Sequence, residues 1–178
     1  MIKVILKDGS IKEYENSLSV LDISRDISEG LARVATAGLI DNKVVDLRYI
    51  VDKDCELSIL TFNDDEGKNA FRHSTAHILA QAVKRLYPEA KLAIGPSIEH
   101  GFYYDFDIEK PFTSEDMEKI EDEMRKIVKE DLKIERFELP REEAIKFMNE
   151  KNEPYKVELI NDLPEDSIIS FYKQGEFV

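Results

Sequence analysis

Hydrophobic and polar residues alternate in short runs up to about residue 62. Such alternation predicts β-strands. We expect them at residues 3–6, 11–14, 36–40, 43–46 and 55–62. Asp8-Gly9, between the first two runs, is typical of a tight hairpin turn. Ser19 followed by Asp22 resembles a capping box and predicts the start of a helix. The pattern therefore predicts a small unit that mixes helix and strand.

The polar run Asn63-Asp64-Asp65-Glu66-Gly67 separates this unit from the rest of the chain, giving domains 1–62 and 63–178. Past the boundary, apolar residues recur every three or four positions, which predicts helices. We expect them at residues 64/65 to 87, 113–130 and 141–149, and strands at 91–94, 102–108, 133–139, 168–172 and 176–178. Residues 154–160 fit either state. Strands with segregated helices define the class α+β.

The first of these helices carries two of the chain's three histidines, His73 and His77, at positions i and i+4. That spacing puts both imidazoles on one helix face, with Cβ atoms roughly 6 Å apart. In a helical projection, one apolar face contains Phe71, Thr75, Ile78, Leu79, Ala82 and Leu86. The histidines lie nearly opposite, in a stripe with Ala76, Ala80 and Lys84. We expect this stripe to lie off the core, where small alanines leave room for another molecule.

Composition narrows the class of protein. The chain has 178 residues and a net charge of −13, which argues against a protein that coats nucleic acid. Basic residues nevertheless gather around the histidines, at Lys68, Arg72, Lys84, Arg85 and Lys91. Such a cluster suits a phosphate or a nucleic-acid end, although a solvated helix face has the same composition. With the single cysteine Cys55, no secretory signal and no apolar run of membrane-spanning length, we expect a cytoplasmic protein.

Two neighbouring imidazoles can share a metal, a proton or an ester. A zinc site needs a third or fourth ligand. Cys55 lies in the other predicted domain, His100 is the only spare imidazole, and the many carboxylates show no ligand spacing. Ser74 stands where the metalloprotease motif has glutamate, and no G-x-S-x-G elbow indicates a serine hydrolase. We therefore expect no metal, with a metal-dependent hydrolase as an alternative. The remaining chemistry is two imidazoles that position and activate a water against an ester, helped by a lysine.

Four motifs in a fixed order carry a family resemblance. They are His73-Ser74-Thr75-Ala76-His77-Ile78-Leu79, Ala93-Ile94-Gly95-Pro96, Gly101-Phe102-Tyr103-Tyr104-Asp105 and Pro154-Tyr155-Lys156-Val157. Together they closely resemble the amino-terminal region of the bacterial threonyl-tRNA synthetase family. The resemblance implies a TGS domain of ubiquitin-like β-grasp fold at residues 1–62. It also implies an α+β editing domain at residues 63–178, built around the histidine-bearing helix, that hydrolyses serine mischarged onto threonine tRNA.

The resemblance further implies roles for four residues. His73 and His77 would orient the terminal ribose hydroxyl and the attacking water. Lys156 would hold that water or stabilise the oxyanion, and Tyr104 would line the pocket and bind the amino-acid end. The expected partners are the acceptor end of tRNA(Thr) and its mischarged serine, with no membrane. ATP, magnesium and zinc would serve only an aminoacylation core, so no cofactor is expected within these residues.

In this family, the strand at Phe177-Val178 leads into a segment with an acidic residue and a Cys-x-x-x-His motif. The present sequence does not contain that segment, so we expect an N-terminal fragment, monomeric although the full-length enzyme would be a homodimer. A pocket that lacks one wall also leaves open a non-catalytic tRNA-docking or regulatory module, which the TGS-like unit favours. The sequence thus leaves three hypotheses: an editing enzyme, a docking module and a metal-dependent hydrolase.

Overall fold

The computed structural model describes residues 1–178. The chain divides into two units, Met1–Ser74 and Thr75–Val178, and the division falls inside one long helix. Both units mix helices with short strands, as the predicted α+β class requires. No helix is both long and apolar enough to cross a membrane.

The first unit contains seven strands and two complete helices. The strands are β1 (Ile2–Leu6), β2 (Ile11–Tyr14), β3 (Leu18–Ser19), β4 (Ala35–Ile40), β5 (Lys43–Val45), β6 (Ile50–Val51) and β7 (Cys55–Thr61). The helices are α1 (Val20–Ile27) and α2 (Glu29–Val34), and the unit also includes the first turns of α3 (Asp65–Leu86). The five strands predicted from alternation are confirmed, with small differences at their ends, whereas β3, β6 and α2 were not predicted.

Five of these strands form one sheet in the order β2-β1-β7-β4-β5. β1 runs parallel to β7, and the other neighbouring strands are antiparallel. Helix α1 packs on this sheet, because Val20 and Ile23 are fully buried in one cluster with Val4 and Leu57. A helix held by a mixed sheet is the β-grasp arrangement that the sequence predicted.

Local signals explain the turns of the first unit. Gly9 has φ +81°, a left-handed conformation that costs glycine little, and it closes the predicted β1–β2 hairpin. Asp41 and Asn42, with φ of 48° and 65°, form the two-residue turn between β4 and β5. Ser19 caps α1, where its hydroxyl accepts a hydrogen bond from the Asp22 N–H at 3.1 Å. The predicted helix start is thereby confirmed.

The second unit begins with the rest of α3 and continues through six short strands and three further helices. The strands are β8 (Lys91–Leu92), β9 (Ser97–Ile98), β10 (Gly101–Phe102), β11 (Phe106–Asp107), β12 (Ile134–Leu139) and β13 (Ile169–Gln174). The helices are α4 (Ser114–Glu130), α5 (Arg141–Glu150) and α6 (Pro154–Asp162). The strands pair antiparallel as β8 with β11, β9 with β10, and β12 with β13.

Three predicted strands in this region need correction, and one ambiguous segment is resolved. The single strand expected at residues 102–108 is broken into β10 and β11, and β8 is shorter than the predicted 91–94. The ambiguous residues 154–160 are helical, because Pro154 occupies the first turn of α6, where its missing N–H costs no hydrogen bond. The expected last strand at 176–178 is only a bridge between Gln174 and Phe177.

Two hydrophobic clusters stabilise the second unit. The first joins α3 to α4 through Ala82, Val83, Ile120 and Ile127, together with Ala90. The second joins α5, α6 and β13 through Ala144, Met148, Ile160 and Ile169. Ile120 and Ile127 on α4, and Ala144 and Met148 on α5, are each spaced along one helix face, as amphipathic helices require.

The predicted orientation of α3 is partly wrong. Ile78, Leu79 and Ala82 face the core as expected. However, Ala76 and Ala80, expected off the core, are each only 1% exposed, while Phe71 is 51% exposed. The reason is that the part of α3 within the second unit packs on more than one side, against α4 at Ala82 and Val83 and against Glu153 at Lys84. Small residues in the histidine stripe therefore mark close packing within the protein, rather than open space for another molecule.

Candidate functional site

Helix α3 places the two predicted histidines one turn apart. The boundary between the units falls between Ser74 and Thr75, so the register of this helix alone relates His73 to His77. His73 is exposed and His77 is half-buried. The His77 ring packs edge-on against Phe177, with ring centroids 4.8 Å apart. The Ser74 hydroxyl donates a hydrogen bond to the Ala70 carbonyl at 2.9 Å, so this side chain is bonded to the backbone of its own helix.

Helix α6 brings the other two predicted residues together. The Lys156 amine donates a hydrogen bond to the Tyr104 hydroxyl at 3.3 Å. The same Nζ lies 5.7 Å from the centroid of the Tyr104 ring, which is a cation–π distance. Tyr104 in turn stacks on Phe106, with centroids 4.8 Å apart and ring planes 20° apart. The structure therefore fixes Lys156 against an aromatic platform.

Burial changes the acid–base behaviour of this pair. It lowers the pKa of Lys156, because a poorly solvated site disfavours the ammonium, and the negative charge of Glu153 opposes that effect. Burial, aided by the same carboxylate, raises the pKa of Tyr104 to about 12. Tyr104 is therefore protonated at neutral pH. Since its oxygen accepts from Lys156, its own hydrogen is available to a bound acceptor.

A glycine and a cavity border the Tyr104 ring. A Cβ at Gly95 would collide with this ring, so the ring lies directly on the Gly95 backbone. A cavity of about 400 Å³ is lined by Tyr104, Asp105, Phe106, Ile108, Pro111 and Phe112. Tyr104 is the one predicted site residue in that lining. The glycine of the Gly95-Pro96 motif is thus explained by the close approach of the Tyr104 ring.

Sequence reasoning missed a buried carboxylate beside this pair. Glu153 is 5% exposed and directly precedes α6. Its Oε1 lies 2.8 Å from the Lys84 Nζ, and its Oε2 accepts a hydrogen bond from the Leu92 N–H at 3.0 Å. Lys84 also donates to the carbonyls of Pro88 and Ala90 at 3.1 and 2.9 Å. A lysine directly after the apolar run Ala82-Val83 was the available signal, since such a lysine needs a partner.

The register of α3 relates this ion pair to the histidines. Lys84 follows His77 by seven residues, close to two helical turns, and therefore shares its face. The Lys84–Glu153 pair thus joins the beginning of α6 to the histidine face of α3 within the second unit. The predicted stripe contained Lys84 but gave no indication of its partner.

No group of three His, Cys, Asp or Glu side chains in residues 1–178 is arranged to hold a metal ion. Cys55 is buried in the first unit, within the β-grasp core. His100 is exposed, and its Nε2 lies 3.8 Å from the Oε1 of Glu99.

Comparison with known proteins first defines the class of the N-terminal domain. Residues 2–61 match the TGS domain family, which agrees with the β-grasp topology of β1 to β7. The TGS domain that the family resemblance implied is confirmed.

The relatives extend the match along the whole chain. Threonine–tRNA ligase of Acetivibrio thermocellus is 66% identical over all 178 residues, and that of Clostridioides difficile is 66% identical over 177 residues. The enzyme of Clostridium kluyveri is 64% identical over 178 residues. The chain spans about 28% of the length of these relatives. It therefore corresponds to the N-terminal part of bacterial threonine–tRNA ligases, the TGS domain and the region that follows it.

Proposed function

We propose that this chain carries the hydrolytic editing site of a threonine–tRNA ligase, and that the site removes serine mischarged onto tRNA(Thr). The observation that carries the proposal is the half-buried Lys156–Tyr104 pair, whose amine and hydroxyl lie 3.3 Å apart. It lies in a chain similar throughout to the N-terminal part of threonine–tRNA ligases. A half-buried amine beside a protonated phenol suits the hydrolysis of an ester, whose oxyanion needs nearby hydrogen-bond donors.

Each predicted residue has a role in this proposal. His73 and His77 are the catalytic imidazoles, which orient the terminal ribose hydroxyl and the attacking water and move a proton between them. Lys156 is catalytic as the donor that holds the water or stabilises the oxyanion. Tyr104 binds the aminoacyl end, because its hydroxyl hydrogen is available to an acceptor and its ring is held by Phe106.

The need for such a site follows from the chemistry of the substrates. Serine differs from threonine by the loss of one methyl group. An aminoacylation pocket discriminates between the two amino acids by only about 1–3 kcal/mol. A second, hydrolytic site that accepts serine and excludes the larger threonine supplies the missing selectivity. The proposed partner is accordingly the acceptor end of tRNA(Thr) carrying a seryl ester, and the proposed location is the cytoplasm.

The ligase reaction itself belongs to the larger proteins that this chain matches over 28% of their length. We propose that ligation of threonine to tRNA, its ATP, magnesium and zinc, and a homodimeric assembly belong to the whole enzyme. The residues of this chain would contribute editing and tRNA contact. That division agrees with a site built from hydrogen-bond donors and imidazoles.

A comparison of two substrates tests the proposal. The 178-residue protein is incubated with seryl-tRNA(Thr) and with threonyl-tRNA(Thr), and ester loss is followed against the spontaneous rate. We expect hydrolysis of the seryl ester to exceed that of the threonyl ester by at least about tenfold, which corresponds to roughly one methyl group of discrimination. Equal rates for both esters, or no rate above the spontaneous one, would count against an editing site.

The TGS match at residues 2–61 favours a second candidate, a non-catalytic tRNA-docking or regulatory module. Binding of uncharged tRNA(Thr), measured in the same preparation, separates the two functions. Tight binding that weakens with salt, combined with no hydrolysis, would support docking in place of editing.

A further inference from the structure

The amine of Lys156 occupies a costly position. It is half-buried and its pKa is lowered, so solvation favours moving the ammonium out to water. Its hydrogen bond to the Tyr104 hydroxyl is a long one, at 3.3 Å. The net contribution of one such hydrogen bond to stability is small. Something other than this contact must therefore hold the first turn of α6 in place.

The Lys84–Glu153 ion pair meets that requirement. Glu153 directly precedes α6, and its backbone carbonyl accepts a hydrogen bond from the Lys156 N–H at 3.2 Å. Its carboxylate binds α3 through Lys84 at 2.8 Å and β8 through the Leu92 N–H at 3.0 Å. Lys84 directs its ammonium at three oxygens, one from Glu153 and two from backbone carbonyls. An ammonium has three donors, so this group is fully satisfied.

We propose that the buried Lys84–Glu153 pair positions Lys156: it anchors the beginning of α6 to α3 and to β8, and so fixes the Lys156 amine at the Tyr104 hydroxyl. Glu153 and Lys84 are positioning residues, because neither is placed in contact with a reacting ester. The catalytic meaning of this position rests on the proposed function. The position itself does not, and it can be measured without any substrate.

The direction in which the pKa of Lys156 changes when Glu153 is replaced tests the proposal. The carboxylate of Glu153 favours the ammonium of Lys156, so removing that charge from an otherwise intact site would lower the pKa of Lys156 further. If the ion pair instead anchors α6, removing it releases Lys156 to water, and its pKa rises towards the ordinary value. The two outcomes shift the pKa in opposite directions. Tyr104, from the loop between β10 and β11, contacts the amine directly, and Lys84, from α3, is paired with Glu153.

The experiment follows the pH titration of the Lys156 side chain by NMR, in protein with isotope-labelled lysine. Lys156 is assigned by its absence from the spectrum of Lys156→Met. In Glu153→Ala we expect the titration midpoint to rise by about one pH unit, a tenfold change in the acid constant. Glu153→Asp is the milder variant, since its shorter carboxylate keeps the charge but cannot reach both Lys84 and Leu92, and it should shift the midpoint upward by less.

Arg141 provides a matched control at the other end of α6. Its guanidinium donates hydrogen bonds to the carbonyls of Ile160, Leu163 and Pro164. Arg141→Gln should destabilise the same helix and leave the Lys156 midpoint unchanged. A midpoint that falls or stays constant in both Glu153 variants would overturn the positioning role. An equal upward shift in Arg141→Gln would also overturn it, because any loss of helix stability would then suffice.

Discussion

The ring of Tyr104 lies so close to the backbone of Gly95 that a Cβ at this glycine would collide with it. The colliding atoms belong to a stacked, hydrogen-bonded ring, since Tyr104 also contacts Phe106 and Lys156. Such a ring cannot move aside as the end of a flexible side chain could. Gly95 is thus required by space rather than by backbone conformation.

Gly95→Ala should displace the Tyr104 ring. We expect a loss of about 1–3 kcal/mol in the free energy of unfolding, typical of overpacking, measured by urea denaturation. We also expect the pKa of Tyr104 to fall from about 12 towards 10, followed by ultraviolet titration, because the displaced ring gains solvent. Gly30→Ala is the control, because the nearest atom to its Cβ is the Ser28 Oγ at 3.9 Å. Unchanged stability and an unchanged tyrosine titration in Gly95→Ala would contradict the geometry.

Breaking the buried ion pair on one side should be costly. Lys84→Met leaves the carboxylate of the buried Glu153 without its cation. Removing one member of a buried pair costs about 3–5 kcal/mol, which we expect as a lower urea midpoint. The double variant Lys84→Met, Glu153→Gln should recover much of this loss, because no buried charge remains unpaired. Additive losses in the double variant would show that the two residues are not coupled.

The cap of α4 predicts a pH-dependent contribution to stability. Hydrogen bonds from the Thr113 N–H and hydroxyl, and from the Tyr87 hydroxyl, lower the pKa of Asp116 to about 2. A carboxyl with a depressed pKa stabilises the fold above its ordinary pKa of 3.8, and that contribution disappears as the pH falls to about 2. Asp116→Asn should therefore be less stable than the parent at pH above 3.8 and equally stable near pH 2, by thermal unfolding. Asp122→Asn, farther along α4, is the control, and a pH-independent difference for Asp116→Asn would refute the assignment.

Lys156 should impose an alkaline limit on hydrolysis. Burial lowers its pKa, and the ammonium stabilises an oxyanion better than the neutral amine does. The value of kcat/KM should therefore fall as pH rises through this lowered pKa, once spontaneous ester loss is subtracted. Lys156→Arg should be slower and lack this fall, because a guanidinium stays charged and its planar fork does not fit the site. Lys151→Arg, one residue past α5, should keep the parent profile; a rate for Lys156→Arg equal to the parent would exclude the role.

Local structure was largely predictable from the sequence because its causes are local. Period-two alternation, the Gly9 turn and the Ser19 cap each act within a few residues, and each is confirmed in the first unit. The placement of His73 and His77 on one helix was predictable for the same reason.

Long-range packing was not predictable in this way. The stripe of Ala76 and Ala80 was interpreted as open space, but the second unit covers it, and both alanines are 1% exposed. Whether small residues mark a pocket or close packing depends on partners far along the chain. The Lys84–Glu153 pair was unpredictable for the same reason, since the sequence around either residue does not specify its partner. Tyr104 and Lys156 were predicted from family resemblance, and their contact at 3.3 Å came from the structure.

The catalytic role of the histidine pair is the central claim, and seryl-tRNA(Thr) hydrolysis by a double variant tests it most directly. The variant His73→Ala, His77→Ala should lose roughly 10²–10⁴-fold in rate, the usual contribution of positioned acid–base groups. His100→Ala, which removes the remaining and exposed histidine, should keep the parent rate. Hydrolysis by the double variant at the parent rate, in protein with an unchanged unfolding midpoint, would contradict the account.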